Sequence, residues 1–436
     1  MGRSKWVAVC LSICLLLAGT AFAGDPLGRE RSMMKAILKQ VSSEMADKFY
    51  DPNMKGLDWK GLTAEANTKI EGAKSLGEMM TAIHTLVMKL DDSHTAFIPP
   101  GRNVTYRFGY DAKPFGDEIR VYALKKNGRA EKAGVKIGDR ILAINKFKPT
   151  RRNFDDMMYF FKVIRNLGVF DLTIQRGEDP PFDIHVEAEK KVEAVYKEQE
   201  AWDMIWDLIR EYDKQAQWHH RSFKDGIGYA QIRFFKFEGE DFMSGIVDAS
   251  LPTKAIILDF RSNGGGEENA LKNFAGMFES KEQVMAEVVG RKKTEQMIVR
   301  PKRPHYQQPL LILVDADTGS AAEMFARHFQ RTGRAVIVGD KTSGKVTRAM
   351  GYYQELGAAA VVPYATYIGV GKVILPGGEE LEKNGVTPDV QCIPTQKDVA
   401  EENDTCLIKA VQLARKAIGL NEDPTLTRVP AIVDRD

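Results

Sequence analysis

Four short and almost wholly apolar runs recur between residues 227 and 340, and helical segments separate them. Near-continuous apolar runs of this kind are typical of central strands that are buried on both faces of a sheet. The pattern therefore predicts an α/β core. The predicted strands cover residues 227–234, 254–260, 309–315 and 334–340, and predicted helices cover 320–331 and 405–418.

Composition excludes several classes of protein. The chain has 436 residues, of which 43% are hydrophobic and 28% are charged. These values are typical of globular proteins, and they exclude a collagen-like, a disordered or a multi-span membrane protein. A formal net charge of +2 gives no indication of a nucleic-acid-binding surface, so we predict no nucleic-acid partner.

The first 23 residues have the features of a cleaved export signal. Two basic residues precede the apolar run at 6–18, and residues 21–23 read Ala-Phe-Ala, a pattern that signal peptidase accepts. The run is short for a membrane span. We predict cleavage after Ala23, a periplasmic or secreted protein and no stable membrane span after cleavage. An uncleaved anchor is the alternative.

Cysteine usage agrees with export. Beyond the predicted signal, Cys392 and Cys406 are the two cysteines of the chain. They can form a disulfide in an oxidising compartment, and two buried thiols are the alternative. These cysteines and the seven scattered histidines lack the spacing of metal ligands, so we predict no metal site and no cofactor.

Two regions precede the core. Residues 24–100 show apolar positions at helical spacing and end in a polar segment at 91–95. Residues 101–190 are rich in predicted strands, and a charged helical connector at 189–215 leads into a core that spans 191–418, with a tail at 419–436. The predicted strands of the second region are 107–110, 119–124, 140–145 and 170–176, with a helix over 154–166.

Three polar or glycine-rich stretches follow predicted strands. Residues 258–266 end in three glycines, whose backbone amides can bind an anion or an oxyanion. Residues 317–326 place Ser320 at a strand-to-helix turn, where it is either a nucleophile or an N-cap. Residues 338–346 contain Gly344-Lys345, but the next residue is not the Ser or Thr that completes a phosphate-binding loop.

Taken in order, these features resemble the C-terminal processing (tail-specific) serine peptidases. Lys345 follows Ser320 by 25 residues, as in that family, and residues 375–378 and 385–389 match its closing motifs. The resemblance covers nearly the whole mature chain to about residue 418. It implies a crotonase-like (ClpP/crotonase) α/β protease core with an inserted, β-rich PDZ domain at 101–190 and an amino-terminal helical segment.

The resemblance also implies catalytic roles. Ser320 is expected to be the nucleophile and Lys345 the general base, while the amides of Ala321 and of Gly265 or its neighbour hold the oxyanion. A lysine base must be neutral, so its pKa must be lowered by burial. The family usually places a glutamine four residues after the lysine, and this chain has Ala349 there.

A second arrangement is available on the same chain. Residues 50–59 and 92–95 resemble the branch of the tricorn core protease, in which a histidine is the base and a late glutamate supports it. In this chain His94 would activate Ser320, and Glu382 or Glu379 would support the histidine. From the sequence we favour Lys345 as the base and keep the His94–Ser320–Glu382 triad as the alternative.

A PDZ domain implies that substrates are held by their C-termini. An extended peptide adds to such a domain as a strand, and loop amides receive its terminal carboxylate. Phe108-Gly109-Tyr110 is the candidate loop. We therefore predict an exported serine endopeptidase acting on proteins or peptides with apolar C-termini. A catalytically inactive relative that only binds polypeptide tails is the alternative from a different class.

Overall fold

The structure is a computed structural model that describes residues 25–429, apart from 103, 193–218, 224, 237–239 and 357–361. The predicted export signal and most of the predicted helical connector at 189–215 lie outside the described residues.

A six-stranded sheet forms the centre of the core. Its order is β18-β15-β14-β11-β10-β9, and its neighbours are parallel except for β9 and β10. Four of its strands coincide with the predicted apolar runs, apart from one to three residues at their ends. The strands are β9 (His219–Phe223), β10 (Ile227–Gln231), β11 (Ala255–Asp259), β14 (Leu310–Val314), β15 (Ala335–Gly339) and β18 (Val390–Gln391).

Helices cover both faces of this sheet, and β11 shows why its sequence is apolar throughout. Ile256 and Leu258 pack with one layer of helices, whereas Ala255 and Ile257 pack with the opposite one. Burial on both faces leaves no position for a polar side chain in the middle of the strand. The first layer is α6 (Glu240–Ser250), α7 (Glu268–Gly276) and α8 (Ala321–Arg331), and the second is α10 (Thr405–Ala417), which follows the short α9 (Gln396–Ala400).

The amino-terminal helices pack on a second sheet. The helices α1 (Gly28–Lys48), α2 (Trp59–Gly72) and α3 (Leu76–Met88) form one buried cluster with Tyr364 and Ile368 of that sheet. Its order is β1-β17-β12-β13, with β16 also paired to β17. This packing brings the segment between α3 and β1 to the core. The strands are β1 (Ala96–Ile98), β12 (Gln283–Gly290), β13 (Thr294–Val299), β16 (Thr347–Leu356) and β17 (Val362–Ile374).

A third, antiparallel sheet has the order β3-β4-β5-β6-β7, and its strands follow the amino-terminal helices in the chain and precede the core. We call residues 110–187 the inserted β domain; β3 is an edge strand of its sheet, and β2 pairs separately with β8. Its elements and their flanking strands are β2 (Val104–Arg107), β3 (Tyr110–Phe115), β4 (Glu118–Leu124), α4 (Arg129–Ala133), β5 (Arg140–Ile144), α5 (Phe154–Tyr159), β6 (Val169–Gln175), β7 (Phe182–Glu187) and β8 (Glu189–Val192).

Two sequence predictions for this region were wrong in detail. The strand expected at 107–110 is interrupted, because Gly109 has a φ of 80° that turns the chain between β2 and β3. The helix expected over 154–166 is shorter, since α5 ends at Tyr159 and a π-helical turn covers Phe160–Ile164. Periodicity alone did not distinguish these turns from regular elements.

Cys392 and Cys406 form a disulfide, which confirms the bridged alternative. The bond joins the end of β18 to the first turn of α10. Asp404 is the N-cap of α10 and also holds Arg261, with both guanidinium–carboxylate distances at 2.7 Å. The bridge therefore stabilises a helix whose cap reaches the loop after β11.

We expect the disulfide to make a measurable contribution to stability. The two cysteines are 14 residues apart, and closing a loop of about 15 residues contributes about 3 kcal/mol in the chain-entropy model. The double variant Cys392→Ser/Cys406→Ser should lose that much free energy of unfolding in a urea titration. Two thiols that titrate in denatured, unreduced exported protein would contradict the prediction.

Candidate active site

Ser320 lies in the turn between β14 and α8. Its backbone has a φ of 51° and a ψ of −119°, which a residue with a side chain adopts only under strain. A sharp strand-to-helix turn of this kind presents a nucleophile at the edge of a sheet. The Ser320 amide donates to the Lys345 carbonyl at 2.9 Å, and the Gly319 amide donates to the Asn263 carbonyl at 2.8 Å. These bonds hold the turn in place.

The glycine turn at 261–266 packs directly against the nucleophile. A Cβ atom on Gly265 would lie 2.6 Å from the Ser320 Cβ and 2.9 Å from the Ala321 nitrogen, so only glycine fits. The two predicted oxyanion residues are thus neighbours of Ser320. The Gly265 amide donates to the Asn263 side chain at 2.8 Å. This leaves the adjacent amides of the turn, and that of Ala321 at the helix N-terminus, as candidates for oxyanion binding.

A buried carboxylate organises the surrounding loops. Glu323 is in the first turn of α8 and is fully buried. Burial raises the pKa of Glu323, although hydrogen bonds to its carboxylate oppose that effect. No role for this residue was predicted from the sequence, yet it connects the nucleophile turn to the loop that carries Lys345. Its donors are the amides of Ser320, Gly344 and Lys345 and the hydroxyls of Thr342 and Ser343.

His94 is linked to Glu382 through Ser93. The His94 Nδ1 lies 2.9 Å from the Ser93 Oγ, and that hydroxyl donates to the Glu382 Oε2 at 2.8 Å. Since the Ser93 hydrogen is used by Glu382, the Ser93 oxygen must accept from an Nδ1–H of the imidazole. This tautomer leaves Nε2 with a free lone pair. Ser93 is a site residue that the sequence did not identify.

Two acidic residues fix the position of this segment. Asp92 is buried and accepts from the His94 amide at 3.1 Å and from the Thr95 hydroxyl at 2.8 Å. Glu382 also accepts from the Ser93 amide at 3.0 Å and from the Val346 amide at 2.8 Å. The histidine segment is thereby tied to the loop that carries Lys345.

Burial lowers the pKa of His94 below its ordinary value of 6.5, although Asp92 and Glu382 act in the opposite direction. The charge of Lys345 adds to the lowering. His94 is therefore neutral at pH 7, which is the state that a general base requires.

Lys345 is paired with the inserted β domain. Its Nζ lies 2.5 Å from the Asp155 carboxylate of α5. Burial alone would lower the pKa of Lys345, but Asp155, Asp156 and Asp317 raise it above its ordinary value. In this arrangement the amine is a charged ion-pair partner, whereas a lysine base has to be neutral.

Two family models match parts of the chain. Residues 226–392 match the model described as peptidase family S41, and residues 34–81 match the one described as the tricorn protease C1 domain. The chain carries a family S41 peptidase domain. Ser320, Lys345 and Glu382 lie within the S41 domain, whereas His94 lies between the two matched regions.

Relatives of the S41 domain are named as C-terminal processing peptidases. The carboxyl-terminal-processing peptidase 1 of Arabidopsis thaliana chloroplasts is 23% identical, over 77% of this chain and 67% of the relative. The carboxy-terminal processing protease CtpA of Bacillus subtilis is 21% identical, over 82% and 72%. The enzyme class is therefore that of serine peptidases of the C-terminal processing kind.

Solved structures share the fold at low sequence identity. The crystal structure of mature CPAF superposes with a TM-score of 0.68 at 13% identity and covers 92% of this chain and 100% of that one. The photosystem II D1 C-terminal processing protease gives a TM-score of 0.51 at 18% identity, over 85% and 97%.

Glu379 and the predicted peptide-binding loop make contacts other than with Ser93 and His94. Glu379 accepts hydrogen bonds from Arg327 at 2.8 Å and Arg331 at 2.7 Å, so the structure joins Glu382 rather than Glu379 to the histidine segment. Phe108 is buried and stacks on Phe170 at a ring distance of 3.9 Å. The turn at Gly109 therefore directly follows a residue that is packed in the core of the domain.

Within 25–429, and outside the gaps given above, no three His, Cys, Asp or Glu side chains form a group that could hold a metal ion. Over the same part of the chain, every helix is too short or too polar to cross a membrane.

Proposed function

We propose that the chain is an exported serine endopeptidase that cleaves protein or peptide substrates with Ser320 as its nucleophile. The observation that carries the proposal is the strained Ser320 turn at the start of α8, packed against the glycine turn. The Cys392–Cys406 bridge supports an oxidising compartment and hence the export signal at 1–23.

His94 is the base that the geometry supports best. The Nδ1–H of its imidazole is oriented by Ser93, which Glu382 holds in turn, so Nε2 can take the proton of Ser320 as the hydroxyl attacks the scissile carbonyl. The same nitrogen then returns the proton to the leaving amine. The acyl-enzyme is hydrolysed by water in a second cycle of the same steps.

The oxyanion of each tetrahedral intermediate has backbone donors nearby. The Ala321 amide belongs to the first turn of α8, where the partial positive charge of the helix N-terminus favours an anion. An amide of the glycine turn next to Gly265 supplies the second donor. Both lie within a few ångströms of Ser320, since a Cβ on Gly265 would touch Ser320 and Ala321 together.

Lys345 is the second candidate for the base. Its carbonyl accepts from the Ser320 amide at 2.9 Å, so the residue is close to the nucleophile in space. To act as a base, its amine would have to leave Asp155 and lose a proton.

The first experiment tests peptidase activity, with an unfolded, reduced and alkylated protein as the substrate of the purified enzyme. Absence of cleavage would favour the inactive polypeptide-binding alternative.

We further propose that the inserted β domain binds apolar polypeptide C-termini in the manner of a PDZ domain. An extended peptide can add to β3 because it is an edge strand. The loop at Phe108-Gly109-Tyr110 precedes β3 and is the candidate receptor for the terminal carboxylate.

This mode of binding predicts that the terminal charge of a substrate matters. A tailed substrate with a free C-terminal carboxylate should have a KM about tenfold lower than the same substrate with a C-terminal amide, because loop amides bind the anion more strongly. The value of kcat should be similar for both. Equal KM values, together with equal binding of both tails to the Ser320→Ala variant, would contradict carboxylate recognition.

A further inference from the structure

The edge strand of the inserted β domain reaches the core through Lys113. Its Nζ lies 2.7 Å from the Asp315 carboxylate, 3.0 Å from the Ser262 Oγ and 3.8 Å from the Asp317 carboxylate. The side chains of Lys113 and Asp315 are 15% and 12% exposed. This is a largely buried ion pair, in which removal of one partner leaves a charge without compensation.

Asp315 joins the two turns that flank the nucleophile. It follows β14 directly, and its Oδ1 accepts from the Ser262 amide at 2.9 Å and from the Asp317 amide at 3.1 Å. Ser262 belongs to the glycine turn and has a φ of 58°. Asp317 belongs to the turn that ends at Ser320. One carboxylate thus holds the oxyanion side and the nucleophile side of the site together.

The charge of Lys113 determines the state of this junction. Burial alone would raise the pKa of Asp315, but Lys113 lowers it to about 2. Burial, together with the Asp315 charge, raises the pKa of Asp317 to about 7. At neutral pH Asp315 is ionised. Without the cation, burial would raise the pKa of Asp315, so the charge of Lys113 sets the charge of the carboxylate beside the glycine turn.

We propose that Lys113 is a positioning residue for the peptidase reaction, through which the inserted β domain holds the glycine turn and the nucleophile turn in their working arrangement. Lys113 acts through Asp315 and Ser262 on the donors that bind the oxyanion. The inference rests on the proposed function, because the oxyanion exists only if Ser320 attacks a carbonyl group.

A second ion pair at the same interface provides a matched control. The Arg151 Nη1 lies 2.8 Å from the Asp340 carboxylate and 3.0 Å from the Gly116 carbonyl. The side chains of Arg151 and Asp340 are 19% and 7% exposed. This pair docks the same domain with similar burial, but it does so at the end of β15 and not at the turns that flank Ser320.

The test compares Lys113→Met with Arg151→Met in the full chain, using a short amidated peptide ester as the substrate. A peptidyl trifluoromethyl ketone, which adds to a serine nucleophile as a tetrahedral oxyanion, serves as the probe of oxyanion binding. Lys113→Met should lower kcat about 100-fold, with KM changed less than about threefold, and should weaken the inhibitor by a similar factor. Arg151→Met should change kcat less than about threefold, and Lys113→Arg should recover much of the activity.

Other outcomes would overturn the inference. A kcat of Lys113→Met within threefold of wild type, or equal losses of activity and thermal stability in both methionine variants, would reduce Lys113 to a docking contact. If Lys113→Met does not fold, Lys113→Gln keeps a donor without the charge, and a wild-type kcat for that variant would contradict the proposal. A wild-type enzyme that is inactive on both esters and proteins would overturn the proposed function as well. An active wild type with an unaffected Lys113 variant would overturn this inference alone.

Discussion

Replacement of Ser320 by alanine should abolish peptidase activity and leave the fold intact. Loss of the nucleophile of a serine peptidase costs about 10⁴- to 10⁶-fold in kcat. The serine is also the N-cap of α8, and loss of a capping residue costs about 0.5–2 kcal/mol of stability, which a folded chain can tolerate. The measurement is the rate of cleavage of an unfolded protein substrate, with circular dichroism to establish native folding.

A covalent probe provides the control for this experiment. A fluorophosphonate should label the wild-type chain at Ser320 and should not label Ser320→Ala. Turnover by the purified alanine variant at the wild-type rate would remove Ser320 from the mechanism.

The second large effect concerns the base, and the pH dependence of kcat/KM identifies it. A base acts when it is deprotonated, so activity should be lost as the pH falls through its pKa. Burial lowers the pKa of His94, which places this fall below pH 6.5. The neighbouring aspartates raise the pKa of Lys345 above 10.5, so a lysine base would give a rise only at strongly alkaline pH.

Substitutions make the same distinction. His94→Ala should lower kcat by several orders of magnitude, because in a triad the loss of the histidine costs about as much as the loss of the serine. Ser93→Ala should give a smaller loss, since it removes only the partner of Nδ1. Lys345→Ala should remain active, because the structure uses that amine in an ion pair with Asp155.

The reverse result has a clear meaning. A folded His94→Ala with substantial activity, together with an inactive Lys345→Ala and an equally inactive Lys345→Arg, would identify lysine as the base. Arginine cannot act in its place, because a guanidinium does not deprotonate in the working range of pH.

The core was predictable because its signals are local. The apolar runs predicted β10, β11, β14 and β15, because burial on both faces of a sheet leaves a pattern in consecutive residues. The residues around the strand-to-helix turn predicted the position of Ser320. The presence of two cysteines beyond the predicted signal made a disulfide possible. In each case the physical cause and the sequence pattern lie within a short segment.

The contacts of the site were not predictable, because they join residues far apart in the chain. Ser93 and Glu382 are 289 positions apart, and Lys345 and Asp155 are 190 apart. The spacing between Ser320 and Lys345 agreed with a family pattern, but spacing does not specify where a lysine side chain points. Lys113 lies outside the predicted strands, and its role follows only from the contact with Asp315 in the structure.

The Cys392–Cys406 bridge has a consequence for the preparation of the enzyme. It lies two residues beyond Asp404, which binds Arg261 at the start of the glycine turn. A chain produced in a reducing bacterial cytoplasm, or stored with a thiol reductant, would lack this cross-link close to the oxyanion side of the site. Recombinant material should therefore be directed to an oxidising compartment, and its free thiols should be titrated before any rate is compared between preparations.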